Sequence, residues 1–337
     1  MNKIRIAING FGRIGRIFFR QAFVDPQIEF VAINDLTTPD NLAYLLKHDS
    51  VYRQFEHDIV SGADFIQVDG QHIPVLQVKD PSQLPWKDLN VDIVIESTGI
   101  FESQEKAQAH ITAGAKRVVI SAPAKDEITP TATPGLNIEE LRNSQITSNA
   151  SCTTNATTPI MAILDMAFGI EKAVMTTVHG YTATQALVDA PGKKDDFRRG
   201  RGAATNIVPS TTGAALAAAK VLPGLKNKFD GIAIRVPVPT GSLIDATCVV
   251  RKQTSVEEVN SVIREYCSKP EWQGIISYTD EQLVSTDIIG NAHGSIADLT
   301  LTKVIGGDLV KVMSWYDNEW GYCAMLLRHV KIVSQFM

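Results

Sequence analysis

Apolar positions in the first half of the chain alternate between the period of a strand and that of a helix. Isoleucines alternate with other residues over 4–8, and a helical run follows over 13–23. Further strands are predicted at 29–34, 91–96 and 117–121, and the last two are almost continuously apolar, as in a parallel sheet covered on both faces. Strands that alternate with helices predict an α/β domain of the Rossmann type.

The second half of the chain follows a different pattern. Apolar strands at 231–236 and 242–250 flank a turn, and another strand is predicted at 309–315. Helical runs at 256–267 and 318–336 accompany them. Strands joined by hairpin-like turns, with helices grouped around them, predict an α+β catalytic domain with a mixed, largely antiparallel sheet.

The length of 337 residues allows two domains of ordinary size. We expect a dinucleotide-binding domain at 1–151 and a catalytic domain at 152–317. The segment 318–337 is expected to form a helix that returns to the first domain. Two local features are also predicted: a hairpin over 65–78, and a surface position for His110 on the helix that contains it.

Composition limits the possible functions. A net charge of −5 gives no basic field for nucleic acid or for an anionic membrane. No stretch is apolar enough to span a bilayer, and no signal peptide is recognised, so we expect a cytoplasmic protein. Since no CxxC spacing occurs, no zinc site or dense disulfide framework is indicated, and Cys248, Cys267 and Cys323 are expected to be packing residues.

A glycine-rich motif lies between the first strand and the first helix. Gly10, Gly12 and Gly15 give the GxGxxG spacing of a dinucleotide fingerprint, and Asp35 ends the next strand twenty positions later. A carboxylate there can accept hydrogen bonds from the adenosine ribose and would repel the extra phosphate of NADP, so NAD is the predicted cofactor. Further cofactor contacts are expected from polar residues at strand ends, namely Ser97, Thr98 and Ser121.

The stretch 148–155 places a cysteine among hydroxyl and amide side chains. Ser151 is a helix-starting residue type, so Cys152 would lie in the first turn of a helix, where unpaired N–H groups favour a thiolate. Pro159 either opens that helix or kinks it. His179 ends a strand and can pair with the thiolate as an imidazolium or act as a base. The alternative is a buried apolar cysteine with an unrelated core histidine.

Two features in the second half suggest anion binding. Residues 181–204 form a long polar segment with an arginine cluster, which is functional, buried in an interface, or a solvated charged run. The run 210–213 is a hydroxyl-rich helix start. Arg235 lies within an apolar strand, so it requires an anionic partner, which is either a substrate phosphate or a structural aspartate.

Six motifs in order give the sequence a family resemblance. They are INGFGRIGR, SNASCTTN, VHGYTATQ, STTGAA, RVPVP and SWYDNEWGY. Along essentially its whole length the chain resembles the phosphorylating glyceraldehyde-3-phosphate dehydrogenases. The resemblance implies conversion of glyceraldehyde 3-phosphate and inorganic phosphate to 1,3-bisphosphoglycerate with NAD. It also implies a homotetramer in which the segment 181–204 is the S-loop.

The resemblance also implies residue roles. Cys152 is the implied nucleophile and His179 its base. Residues implied at the dinucleotide site are Gly10, Phe11, Gly12, Arg13, Ile14, Asp35, Asn318 and Tyr322. Thr182 and Arg235 are implied to bind the phosphate of the substrate. The ligands implied for inorganic phosphate are Ser151, Thr153, Arg199, Thr212 and Gly213. Pro134 departs from the family pattern, which leaves the pairing of the loop 131–137 open.

Three other functions compete with this interpretation. Erythrose-4-phosphate dehydrogenase shares the fold, the cysteine and the histidine, but it usually lacks the HGYT and TTGAA patterns. A cysteine hydrolase or acyl transferase would use Cys152 and His179 without a cofactor, which leaves the glycine motif and Asp35 unexplained. A nucleotide-binding protein without catalysis would leave the nucleophile and the base without a role.

Overall fold

The computed structural model describes residues 3–192 and 196–337, and the chain forms two compact units. The described residues of the first unit are 3–132, 138–150 and 326–337. Those of the second are 133–137, 151–192 and 196–325. Among the helices of these described residues, none is both long enough and apolar enough to cross a membrane.

The first unit contains an eight-stranded sheet, a small two-stranded sheet and three complete α-helices in its described residues. Its strands are β1 Ile4–Asn9, β2 Ile28–Asn34, β3 His48–Asp49, β4 Arg53–Gln54, β5 Ile59–Ser61, β6 Phe65–Val68, β7 Gln71–Leu76, β8 Ile93–Glu96, β9 Arg117–Ile120 and β10 Ile146–Ser148. Its helices are α1 Arg13–Ala22, α2 Pro39–Lys47 and α3 Gln104–Thr112.

The strand order of the large sheet is β10-β9-β8-β1-β2-β7-β6-β5. The six strands from β10 to β7 pair in parallel, and their chain order is that of a dinucleotide-binding sheet. All residues of β8 and β9 are buried, as their almost continuously apolar sequences predict. This topology confirms the Rossmann-type α/β prediction.

The predicted hairpin is confirmed at the edge of this sheet. Strands β6 and β7 pair antiparallel, and they are joined at Asp69 and Gly70, whose φ angles of 47° and 82° suit a tight two-residue turn. The prediction for His110 was wrong, because its side chain is completely buried. Its Nδ1 accepts the indole N–H of Trp86 at 3.0 Å, and its Nε2 lies 3.0 Å from the Glu96 carboxylate.

The second unit contains a seven-stranded sheet. Its strands are β11 Ile170–Gly180, β12 Val208–Thr211, β13 Phe229–Val236, β14 Ser242–Val250, β15 Ile276–Thr279, β16 Ser295–Ile305 and β17 Leu309–Tyr316. Its helices are α4 Cys152–Phe168, α5 Ala214–Val221, α6 Val256–Ser268 and the start of α7 Trp320–Ser334, which ends in the first unit.

The strand order of this sheet is β12-β13-β11-β14-β17-β16-β15. Only β11 with β13 and β15 with β16 pair in parallel among the described strands, and the other pairs are antiparallel. The prediction of a mixed, largely antiparallel sheet is therefore confirmed. Cys248 and Cys323 are buried and Cys267 is half-buried, as expected of packing residues, and all are free thiols.

Candidate active site

The first turn of α4 positions Cys152. Ser151 caps the helix, since its hydroxyl accepts the backbone N–H of Thr154 at 3.0 Å. The helix is 17 residues long, so its amino terminus presents unpaired N–H groups and the positive end of a full helix dipole to the sulfur. Pro159 lies inside the helix and does not open it.

His179 lies at the carboxyl end of β11 and faces the same cysteine. Its Nε2 is 3.5 Å from the Cys152 Sγ, and the ring packs edge-to-face against Tyr316. The Tyr316 hydroxyl is held by Thr153 at 3.0 Å and by Thr177 at 2.8 Å. Tertiary structure thus brings the two predicted residues into contact and surrounds them with buried polar groups.

Burial dominates the electrostatics of this pair. It raises the pKa of the Cys152 thiol, while the charge of Arg235 acts in the opposite direction. Burial also lowers the pKa of His179 to about 3, and the charges of Arg235 and Arg199 lower it further. Both shifts favour a thiol beside a neutral imidazole, so His179 is available as a base.

Arg235 contacts the Nδ1 atom of the His179 ring. Its Nη1 is 2.6 Å from Nδ1 and 3.0 Å from the carbonyl oxygen of Gly180, which itself lies 2.7 Å from Nδ1. An arginine nitrogen only donates and a carbonyl oxygen only accepts. Nδ1 can thus accept from Arg235 or donate to Gly180, but a single nitrogen cannot do both. The position of Arg235 therefore determines which ring nitrogen of His179 carries the proton.

No carboxylate pairs with Arg235 among the described residues, and its buried Nε has no hydrogen-bond partner there. The structural aspartate considered as an alternative from the sequence is therefore not found in that part of the chain. A buried guanidinium without an anion is costly. The surroundings of Arg235 therefore fit an anionic ligand.

The other predicted anion ligands have their own contacts. Arg199 Nε lies 2.9 Å from the Asp196 carboxylate and 3.0 Å from the hydroxyl of Ser210. The Thr182 hydroxyl lies 2.9 Å from that of Thr184. Thr212 accepts the N–H of Ala214 at 3.1 Å, and Gly213 caps α5 with open space around it. The hydroxyls of 210 and 211 belong to β12, because the helix begins only at Ala214.

The glycine motif of the first unit has the geometry of a phosphate cradle. A Cβ at Gly10 would lie 2.7 Å from the backbone of Thr98, and one at Gly15 would lie 2.3 Å from the oxygen of Gly10, so both positions require glycine. Gly12 is the N-cap residue of α1, and a Cβ added to it would meet no heavy atom within 4 Å beyond its two chain neighbours. This open space beside a helix start fits a pyrophosphate.

The remaining residues of the predicted dinucleotide site surround this motif. Asp35 accepts the N–H of Phe11 at 2.7 Å and so connects β2 to the glycine loop. Ser97 donates to the oxygen of Gly10 at 2.7 Å. Ser121 donates to the backbone oxygen of Glu96 at 3.0 Å.

Three further residues of that prediction lie in the first unit. Thr98 donates through its backbone and its hydroxyl to the Glu96 carboxylate. Arg13 forms an ion pair with Asp49, and Ile14 is half-buried in the first turn of α1.

Asn318 and Tyr322 lie in the second unit, where both are buried. The Oδ1 of Asn318 lies 2.7 Å from the Ser242 hydroxyl and 3.0 Å from that of Thr240. Sequence reasoning missed Ser242, Thr240 and Tyr316. Only the SWYDNEWGY motif, which contains Tyr316, gave any signal for one of them.

Comparison with known proteins identifies the family. Residues 4–104 match the NAD binding domain of glyceraldehyde 3-phosphate dehydrogenase, and residues 151–318 match its C-terminal domain. The chain is 49% identical to glyceraldehyde-3-phosphate dehydrogenase 1 of Trichormus variabilis, with 96% of this chain and 94% of the relative covered. It is 45% identical to glyceraldehyde-3-phosphate dehydrogenase 2 of Bacillus subtilis, covering 97% of each, and 48% identical to the Mycobacterium avium enzyme, covering 98% and 99%. The chain therefore belongs to the glyceraldehyde-3-phosphate dehydrogenase family.

Proposed function

We propose that this chain, as an NAD-linked oxidoreductase, converts glyceraldehyde 3-phosphate and inorganic phosphate to 1,3-bisphosphoglycerate, with Cys152 as nucleophile and His179 as general base. The observation that carries the proposal is the 3.5 Å contact between Sγ and Nε2 at the start of α4. A thiol needs a base at this distance to become a nucleophile at neutral pH.

The neutral state of His179 defines the first step. Nε2 accepts the thiol proton as the sulfur attacks the aldehyde carbon, and it delivers that proton to the former carbonyl oxygen, which gives a hemithioacetal on Cys152 and a neutral imidazole. The base then takes the proton of the hemithioacetal hydroxyl. Bound NAD supplies the hydride acceptor, which leaves a thioester on the sulfur. Phosphate oxygen attacks the thioester carbon, the C–S bond breaks, and the thiolate recovers its proton from His179.

Arg235 couples this chemistry to the charge of the substrate. A phosphate that binds its guanidinium competes with the 2.6 Å contact to His179 Nδ1. With that contact weakened, Nδ1 can donate to the Gly180 oxygen 2.7 Å away, and Nε2 is left to accept the thiol proton. Thr182 is assigned to the same phosphate.

A second anion site is assigned to inorganic phosphate. Its ligands are Ser151, Thr153, Arg199, Thr212 and Gly213. The charge of Arg199 reaches both His179 and Arg235, which supports a place for this arginine near the reacting centre. Because both reactants carry phosphate, they account for the two arginines, which have no carboxylate in common within the described part of the chain.

The cofactor assignment rests on the first unit. Gly12 leaves room for the pyrophosphate, and Asp35 presents a carboxylate at the end of β2 for the ribose hydroxyls. That carboxylate also favours NAD over NADP. The dinucleotide-binding role is assigned to 1–151, catalysis to 152–317, and support of the cofactor site to 318–337.

Assembly and location complete the proposal. The S-loop, 181–204, carries large exposed apolar side chains at Leu187, Val188 and Phe197, which supports burial against another subunit of a homotetramer. Because Cys152 must remain reduced to act, a reducing compartment such as the cytoplasm is assigned.

An NADH-formation assay tests the function. Turnover is expected with glyceraldehyde 3-phosphate only when phosphate is present, and it should exceed turnover with erythrose 4-phosphate or with NADP. Cys152→Ser should abolish turnover and keep NAD binding, whereas Cys267→Ser, which changes a half-buried thiol in α6, should be active. Turnover without phosphate, or full activity of Cys152→Ser, would contradict the proposal.

A further inference from the structure

A chain of hydrogen bonds joins the base to Asn318 within the second unit. The backbone N–H of Gly180 donates to the Ser242 hydroxyl at 3.1 Å, and that hydroxyl donates to Asn318 Oδ1 at 2.7 Å. Gly180 directly follows His179, and its carbonyl oxygen lies 2.7 Å from the histidine Nδ1. Ser242 is 0% exposed, His179 3% and Asn318 5%, so water does not compete strongly for these bonds.

The direction of this chain fixes the orientation of the Asn318 amide. The Ser242 hydroxyl has one proton, and it accepts the N–H of Gly180 on the oxygen. Its proton therefore needs an acceptor, which must be Oδ1 of Asn318 and not Nδ2. Thr240 also lies 3.0 Å from Oδ1, while its hydroxyl is 2.9 Å from the Asp317 carboxylate. The Ser242 hydroxyl, in contrast, has no carboxylate partner among the described residues, and its proton goes to Asn318 Oδ1.

The opposite end of the amide is left for a ligand. Nδ2 of Asn318 forms no hydrogen bond within the described part of the chain. An asparagine amide that rotates by half a turn exchanges its donor and acceptor ends. A fixed Oδ1 therefore presents two N–H donors outward, which suits a carbonyl oxygen such as that of the nicotinamide carboxamide.

We propose that Ser242 is a positioning residue that fixes the Asn318 amide with Nδ2 toward the nicotinamide carboxamide and links it to the backbone beside the catalytic base. The inference rests on the proposed function, in which Asn318 orients the carboxamide. Ser242 acts only through Asn318 and Gly180. Its loss leaves the amide free to rotate and removes the acceptor for the N–H of Gly180.

Equilibrium binding measurements distinguish a positioning role of Ser242 from a general structural defect. NAD and ADP-ribose, which lacks the nicotinamide, are titrated by calorimetry into wild type, Ser242→Ala, Asn318→Ala and the double variant. Ser242→Ala should weaken NAD binding about tenfold, the effect of one buried hydrogen bond, and change ADP-ribose binding less than about twofold. The double variant should bind NAD no more weakly than Asn318→Ala, because both substitutions break the same chain.

Two further variants make the test more specific. Asn318→Asp keeps an acceptor for Ser242 but replaces the Nδ2 donor by an oxygen, so it should weaken NAD binding as Asn318→Ala does. Ser314→Ala is the matched control, since Ser314 is also a completely buried serine, bonded at 2.7 Å to Ser295 on a neighbouring strand. It should bind NAD as wild type does.

Three results would overturn the inference: equal losses of NAD and ADP-ribose binding in Ser242→Ala, additive losses in the double variant, or normal NAD binding by Asn318→Asp. If Asn318→Ala weakens NAD binding and Ser242→Ala does not, only the role of Ser242 fails. If Asn318→Ala itself binds NAD normally, the role of Asn318 in the proposed function fails as well.

Discussion

The stability of the first unit should decrease in mild acid because of one buried histidine. His329 on α7 is completely enclosed, and its Nε2 lies 2.9 Å from the hydroxyl of Thr147. Burial lowers the pKa of His329 from 6.5 to about 3. The native state therefore stays unprotonated while the unfolded chain takes up a proton below pH 6.5. Stability is complete above pH 6.5 and is lost as the pH falls toward 3.

The magnitude follows from the two pKa values. Each pH unit below 6.5 removes about 1.4 kcal/mol from the free energy of unfolding, so the change from neutral pH to about pH 5 removes about 2 kcal/mol. His179, whose pKa is also lowered to about 3, should add a similar loss to the second unit. These amounts are a large fraction of the stability of an ordinary domain.

The assay is urea unfolding at both pH values, with pulsed hydrogen exchange in β10 as the readout for the first unit. His329→Gln keeps a polar group beside Thr147 but cannot take up the proton. It should be less stable than wild type at neutral pH, and the difference should shrink by about 2 kcal/mol at about pH 5. His48→Gln, at an exposed position, is the control. Equal pH dependence in wild type and His329→Gln would refute the reasoning.

Three further predictions concern the active site. His179→Gln should slow alkylation of Cys152 by iodoacetamide at neutral pH at least about tenfold, measured without cofactor in phosphate buffer, where an anion on Arg235 leaves Nε2 free to accept the thiol proton; an unchanged rate would show that the thiol does not depend on the base. Asp35→Gly should raise the ratio of NADP to NAD turnover and also weaken NAD binding, because a backbone N–H of the glycine loop loses its acceptor; an unchanged ratio in steady-state kinetics would remove its assigned role. Arg199→Ala should raise the KM for phosphate more than that for the aldehyde, and Arg235→Ala the reverse, whereas equal effects would show that the two anion sites are misassigned.

Local sequence signals were sufficient for the architecture and for the main chemistry. The GxGxxG spacing is a local signal, because the backbone turn itself requires glycine at Gly10 and Gly15, and the acid at the end of the next strand follows twenty positions later. The alternating and helical periods of apolar residues predicted both sheet classes. Burial of one face or of both faces of a strand determines which of its positions are apolar. Cys152 was recognised from its position at a helix start among hydroxyl side chains.

Tertiary structure decided which residues that are distant in the sequence contact each other. His110 was expected at the surface, but its imidazole is buried because Glu96 and Trp86, which are 14 and 24 residues away, satisfy both of its nitrogens. His179 and Arg235 are 56 positions apart in the sequence, and nothing in the sequence indicates that the arginine contacts Nδ1 of the histidine.

Likewise, the contact of Ser242 with Asn318 spans 76 residues. A hydrogen bond needs correct distance and direction between two groups, and sequence periodicity specifies only the face on which each group lies. The sequence by itself therefore determined which chemical groups this protein has and on which kind of element each is carried. Only folding decided which groups meet, and so which nitrogen of the base carries its proton and which end of the amide is free.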